Sequence, residues 1–296
     1  MNNPNNPANT SWAYTSDDML LDNGRLTHLK SSLRQLAIKS LYIPLLCSQT
    51  IKSQNTPHLR IVFYHSIFDR DKNNFSEQLK FFCDNYRVLP LGDALIQAKK
   101  NQITEPTLSI TFDDGYLNNL TVASGLLAKH NIKGCFYITS DFIKINHESP
   151  SDIEEFCRKR LFIGKPIHNM TWDDIKSLLD LGHEIGSHGI SHKSLASLPH
   201  LDMLAEIKDS KSIIENKLNQ TVRHFSVPFG THGHYSQSII DSVKNSGYES
   251  CVLGIRGPNG LYDNPYKLRR DHCSANWSIK EVRSHLMRSF LWPKPI

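Results

Sequence analysis

From Leu59 onward, strand-like and helix-like patterns alternate, and this alternation restricts the possible folds more than any other feature. Apolar runs at residues 59–64, 86–89, 108–112, 135–139, 184–186, 224–227 and 248–253 read as strands. Between them, helical spacing covers residues 75–83, 93–100, 117–130, 171–181 and 201–218. Repeated βα units imply a parallel sheet with helices outside. About seven units in roughly 220 residues favour closure into a (β/α)7-type barrel, the class in which active sites assemble at the C-terminal ends of the strands.

One strand end carries unusual chemistry. In Thr111-Phe112-Asp113-Asp114-Gly115-Tyr116, two carboxylates follow an apolar run and a glycine stands behind them. Neighbouring side chains of a strand face opposite ways, so aiming both acids into one cavity requires the backbone to leave strand geometry there, which Gly115 permits. Aspartate and glycine are also ordinary turn residues, so this stretch alone decides little. A second stretch, Ser187-His188-Gly189-Ile190-Ser191-His192, places two histidines four apart, a spacing that puts them on one face of a helical turn. One carboxylate with two imidazoles is the ligand count of a catalytic zinc site. Asp114, His188 and His192 suit that set, and Asp113 is then free to act as a base towards water.

These two stretches resemble the first two motifs of the polysaccharide deacetylases, also called the NodB-homology family or carbohydrate esterase family 4. Lesser echoes extend the likeness over roughly residues 58–272: Phe63-Tyr64-His65-Ser66-Ile67, Gly134-Cys135-Phe136-Tyr137-Ile138 and Val227-Pro228-Phe229-Gly230. The resemblance implies a barrel with a metal at its mouth, Asp113 as base, and Asp114, His188 and His192 as ligands. It further implies an oxyanion held in part by the Tyr116 N–H, Pro228 and Phe229 on the substrate side, and removal of N-acetyl groups from amino sugars. Zinc is the expected divalent metal from the donor set, with cobalt, nickel and manganese also compatible.

The sequence departs from the family in two places. Where many members have an arginine before the third-motif proline, this chain has Ser226-Val227-Pro228. Arg269 or Arg270 is expected to take over that pairing with the base, since a guanidinium keeps a nearby carboxylate ionised. No clean Leu-x-His motif supplies the general acid, and His272 is the best candidate, with a surface position for it equally compatible. His65 also follows an apolar strand and would reach the same mouth. Alternatives are a deformylase or other C–N hydrolase acting on a lipid-linked sugar, and a glycan-binding protein without catalysis.

The 296 residues suffice for one large domain, expected at 57–296, behind an N-terminal extension at 1–56. That extension reads as a polar leader followed by a basic amphipathic helix at 25–47, whose bland role is packing and whose sharper role is peripheral contact with an anionic membrane face. A hydrophobic share of 39% with 21% charged residues fits neither a disordered nor a membrane-embedded chain. The net charge of +5 comes without a compact basic block interleaved with aromatics, which argues against nucleic acid. Six cysteines form no Cys-x-x-Cys pair and read as reduced thiols. With no secretory pattern at the start, a cytoplasmic location is expected. Between 144 and 170 lies an irregular insert around a short helical stretch, expected to cover part of the sugar site. Thr171 with Asp174 predicts a capping box.

Overall fold

The computed structural model describes residues 12–19 and 56–296. Its strands are β1 (His58–Tyr64), β2 (Arg87–Val88), β3 (Pro106–Phe112), β4 (Cys135–Ile138), β5 (Glu184–Ser187), β6 (His224–Ser226), β7 (Ser250–Val252) and β8 (Asp271–His272). All pair in parallel in the order β7-β6-β5-β4-β3-β1-β8, with β2 beside the start of β3. The sheet curls until its ends meet. Residues 268–272 bridge the gap: Leu253 N donates to Leu268 O and Arg270 N to Ile255 O on one side, while β8 pairs with Val62 and Phe63 of β1 on the other.

The helices are α1 (Lys72–Asn85), α2 (Leu91–Lys99), α3 (Gly125–Lys129), α4 (Ser140–Lys144), α5 (Pro150–Phe156), α6 (Trp172–Asp180), α7 (His200–Leu218), α8 (Gln237–Asn245) and α9 (Ile279–Leu291). Sequence patterning anticipated α1, α2, α6 and α7, and it placed β1 to β7 within a few residues, though not β8. It did not anticipate α4, α8 or α9. The stretch expected as one helix at 117–130 is instead a π-helical turn, Asn119–Ser124, running into the short α3.

Alternation on β1 divides the core. Outward Val62 and Tyr64 join the large cluster under the helices, with Phe75, Phe112 and Phe136. Inward Leu59 and Ile61 join Cys135, Tyr137, Val252 and Leu268, and Leu91 and Ala94 of α2 pack onto them. The N-terminal end of the barrel is thereby plugged by α2, whose Gly92 N donates to Glu184 at the start of β5. The opposite end carries the cleft into which the acids and imidazoles of the strand ends project. A third cluster gathers Ala13, Phe68, Tyr116, Phe142, Ile153 and Cys157, so residues 12–19, part of the stretch read as a polar leader, pack against the insert. The basic stretch at 25–47, with Cys47, lies outside the described residues; the five described cysteines form no disulfide with one another.

The capping box forms at α6, where Thr171 Oγ1 accepts from Asp174 N at 3.2 Å and Asp174 Oδ2 from Thr171 N at 2.7 Å. This helix leads directly into β5. Thr171→Ala is expected to lower unfolding stability by about 1 kcal/mol, read as a drop in the urea midpoint at unchanged slope. A midpoint equal to wild type would show that packing alone holds α6.

Candidate active site

Asp113 and Asp114 leave the end of β3 in the way the motif demands. Asp113 continues the strand, its N–H donating to Tyr64 O at 3.0 Å, and the chain then turns through left-handed backbone at Asp114 (φ 76°) and Gly115 (φ 99°). At Gly115 a side chain would meet both an unfavourable φ and Ile143. Both carboxylates end up buried in one cleft of about 790 Å3 at the barrel mouth.

His188 follows β5 directly. His192 does not share a helical turn with it: residues 188–194 form a loop, with left-handed backbone at Gly189 (φ 81°) and His192 (φ 54°). The loop keeps its shape because Glu206 of α7 accepts from Ile190 N at 2.7 Å and Ser191 N at 2.9 Å, and also from the Ser191 hydroxyl. Glu206 escaped sequence reasoning, although its place on the buried stripe Met203, Glu206, Ile207, Ser210 and Ile214 was a signal: a carboxylate among core positions needs partners.

Each imidazole is oriented by a carbonyl. His188 Nδ1 donates to Ser226 O at 2.8 Å and His192 Nδ1 to Arg160 O at 2.9 Å. A carbonyl only accepts, so both rings carry their proton on Nδ1 and offer a lone pair at Nε2. Those Nε2 atoms lie 3.6 and 3.4 Å from Asp114 Oδ1. Ligands about 2.0–2.1 Å from a tetrahedral zinc stand roughly 3.3–3.4 Å apart, so the spacing fits a shared cation. Asp114 Oδ1 is buried without a hydrogen-bond partner, which is the expected condition of an atom reserved for a metal. Burial pushes the His188 imidazole down to about 4 against the pull of Asp113, leaving it neutral and able to ligate near neutral pH.

Asp113 is bound from the far side by Arg270, whose Nη1 and Nη2 donate to its two oxygens at 2.7 and 2.8 Å. Arg270 is itself buried, donating to Ser226 Oγ at 2.9 Å and Leu253 O at 3.2 Å, with its guanidinium 4.3 Å from the Phe63 ring centre. Burial alone would raise the Asp113 carboxyl, but the Arg270 charge, with His188 adding to it, outweighs that and brings it down to about 2. Of the two arginines considered, Arg269 points elsewhere, donating to Lys294 O.

The remaining candidates divide. His272 lines the cleft with its ring 5.5 Å from His65 and 5.7 Å from Trp277, and His65 lines it as well. Tyr116 is buried in the wall, and Phe229 packs against His192 with the rings tilted by 60° and their centres 4.8 Å apart. Pro228 lies behind Phe229, buried near Gly189 and outside the cleft lining. The insert supplies Leu161, Phe162 and Ile163 to the rim.

An open barrel mouth that carries an ion-paired carboxylate beside a three-donor cluster has the layout of a barrel hydrolase. Residues 100–251 match the sequence model described as "Polysaccharide deacetylase", slightly more than half of the chain, and the chain belongs to that family of N-deacetylating hydrolases. YxkH of Bacillus subtilis (strain 168), named for the same family, is 27% identical over 241 residues, covering 78% of this chain and 77% of that protein. The peptidoglycan-N-acetylmuramic acid deacetylase PdaA of the same organism is 24% identical over 182 residues, covering 60% of this chain and 55% of PdaA. In fold, the chain resembles the Streptococcus pyogenes deacetylase PplD, solved in complex with acetate, with a TM-score of 0.64 at 18% identity over 78% of this chain and 99% of that one. Among the described residues, no helix is long and apolar enough to cross a membrane.

Proposed function

We propose that this chain hydrolyses the N-acetyl group of an amino sugar in a polysaccharide, oligosaccharide or glycolipid precursor, using a divalent cation held by Asp114, His188 and His192. The observation that carries the reading is the buried, partnerless Asp114 Oδ1 facing two imidazole Nε2 atoms, with the ionised Asp113 next to them. PdaA acts on N-acetylmuramic acid and PplD was solved with acetate, which supports an acetamide as the bond attacked. Zinc is the first choice for this donor set, and cobalt, nickel or manganese would also be accepted.

Bound there, the cation supplies Lewis acidity that polarises the acetyl carbonyl and acidifies water. The chain does the rest. Asp113, kept ionised by Arg270, takes a proton from the attacking water as its oxygen bonds to the acetyl carbon. The Tyr116 N–H shares the negative charge that develops on the carbonyl oxygen. His272 delivers a proton to the amine as the C–N bond breaks, releasing acetate and a free amino sugar. His65 stands beside His272 in the cleft, their ring centres 5.5 Å apart.

The test is acetate release from N-acetylglucosamine oligomers by zinc-loaded protein, before and after chelation. Activity should disappear on chelation and return when zinc is restored. Formate released from a lipid-linked formamido sugar, with no acetate from any oligomer, would move the reading to a deformylase. Retained activity in metal-free protein would end the cation's part in it.

A further inference from the structure

Residues 12–19 are tied to the insert at every turn. The Trp12 ring stacks on His168 at 3.6 Å, and Ala13 N donates to Pro166 O at 2.8 Å. Asp18 accepts from Tyr14 N, Thr15 Oγ1 and Lys165 Nζ, the last at 2.6 Å, which locks a single tight turn onto the insert. The main chain then continues the match, with Lys165 N donating to Asp18 O and Gly164 N to Met19 O at 2.9 Å. Met19 itself reaches the other way: its sulfur accepts from Ser66 Oγ at 3.0 Å, just beyond β1. One residue therefore spans from the insert to the β1 end, and it lines the same cleft as Asp113 and Asp114.

Resting on the deacetylase reading, we propose that Met19 is a substrate-positioning residue: the docked segment closes the cleft between β1 and the insert, so a glycan cannot extend past the reacting sugar on that side. A thioether suits the task, being apolar, polarisable and able to lie against a sugar ring's C–H face. The physical argument is one of geometry. Without residues 12–19 the cleft would lose Met19 from its lining, where it stands between Ser66 on the β1 side and Gly164 of the insert. With them it has a wall, and the sugar that reaches Asp113 is one near a chain end or on a short carrier.

Kinetics across N-acetylglucosamine oligomers from the dimer to the hexamer test this. Met19→Ala should raise KM for the shortest substrate about fivefold, the effect of losing roughly 1 kcal/mol of side-chain contact, with kcat moving much less. The variant should also gain on the longest oligomers relative to wild type. Trp12→Ala, which loosens the segment without touching the cleft, should shift KM in the same direction, and Met19→Leu should restore it. Independently of turnover, an oligomer bound to Asp113→Asn protein should protect Met19 from peroxide oxidation, read by mass spectrometry. Acetate release with the same length profile in wild type and Met19→Ala, or no protection of Met19, would overturn the positioning role while leaving the deacetylase standing. No acetate from wild type at any length would take down the deacetylase reading and this inference with it.

Discussion

Asp113→Asn is expected to lower acetate release by about a thousandfold at unchanged metal content, within the range that a positioned general base supplies. The substitution keeps the side chain's shape and one of its two acceptor oxygens, so Arg270 retains a partner and the ligand set of Asp114, His188 and His192 is not touched. What it removes is the capacity to take a proton. Turnover numbers with elemental analysis of the purified variant check this. Activity within tenfold of wild type, with metal retained, would mean that the water is deprotonated by some other group and that Asp113 serves only to balance Arg270.

Removing Arg270 should do broader damage. Arg270→Met leaves the Asp113 carboxylate buried without its counter-ion, and breaking such a pair from one side costs roughly 3–5 kcal/mol. It also strips the donors from Ser226 Oγ and Leu253 O. The sign of the accompanying pH effect follows from the balance at Asp113. Burial raises that carboxyl and Arg270 more than offsets it, so in the wild type its folded pKa of about 2 lies below the ordinary aspartate value of 3.8. A group held low in this way contributes stability above its unfolded pKa, and the contribution fades as pH falls from about 4 towards 2. Without Arg270, burial dominates and the carboxyl should titrate above 3.8. The acid limb of kcat/KM should therefore move to higher pH, together with a fall in plateau activity. Denaturation midpoints and a pH–rate profile measure the two effects separately. An acid limb unmoved from wild type would show that Arg270 holds the base in place without setting its charge.

Much of the fold was legible because its signals are local. Strands such as β1, β3 and β4 lie in apolar runs long enough to stand out, and Thr171, Asp174 and Gly182 mark where α6 starts and where the chain turns into β5. Helices α8 and α9 escaped the reading although their signals are local too: Gln237–Asn245 and Ile279–Leu291 are amphipathic, Ser236 caps the first and a Ser278–Glu281 capping box starts the second. At the site, the Asp-Asp-Gly and His-x-x-x-His stretches were legible as motifs, and the structure brings all four side chains into one buried cluster. The expected helical turn for the histidines was wrong because spacing cannot distinguish a helix from a loop. The loop's shape depends on Glu206, fourteen positions beyond His192.

The choice between Arg269 and Arg270 shows the same division. They are neighbours on an extended segment, so their side chains must face opposite ways, and the sequence left open which one faces inward. Only the pairing of residues 268–272 between β7 and β1 settles that Arg270 enters the barrel and Arg269 leaves it. The sequence by itself determined the parallel βα architecture and the acids and imidazoles at the strand ends, because periodicity and motif spacing depend on residues near one another in the chain. The tertiary structure alone decided the guanidinium that pairs with Asp113, the carboxylate that shapes the histidine loop and the docking of Met19 on the insert. Each of these joins groups 15 to more than 140 positions apart, as in Glu206 with Ser191, Arg270 with Asp113 and Met19 with Gly164, and no local pattern records such a meeting.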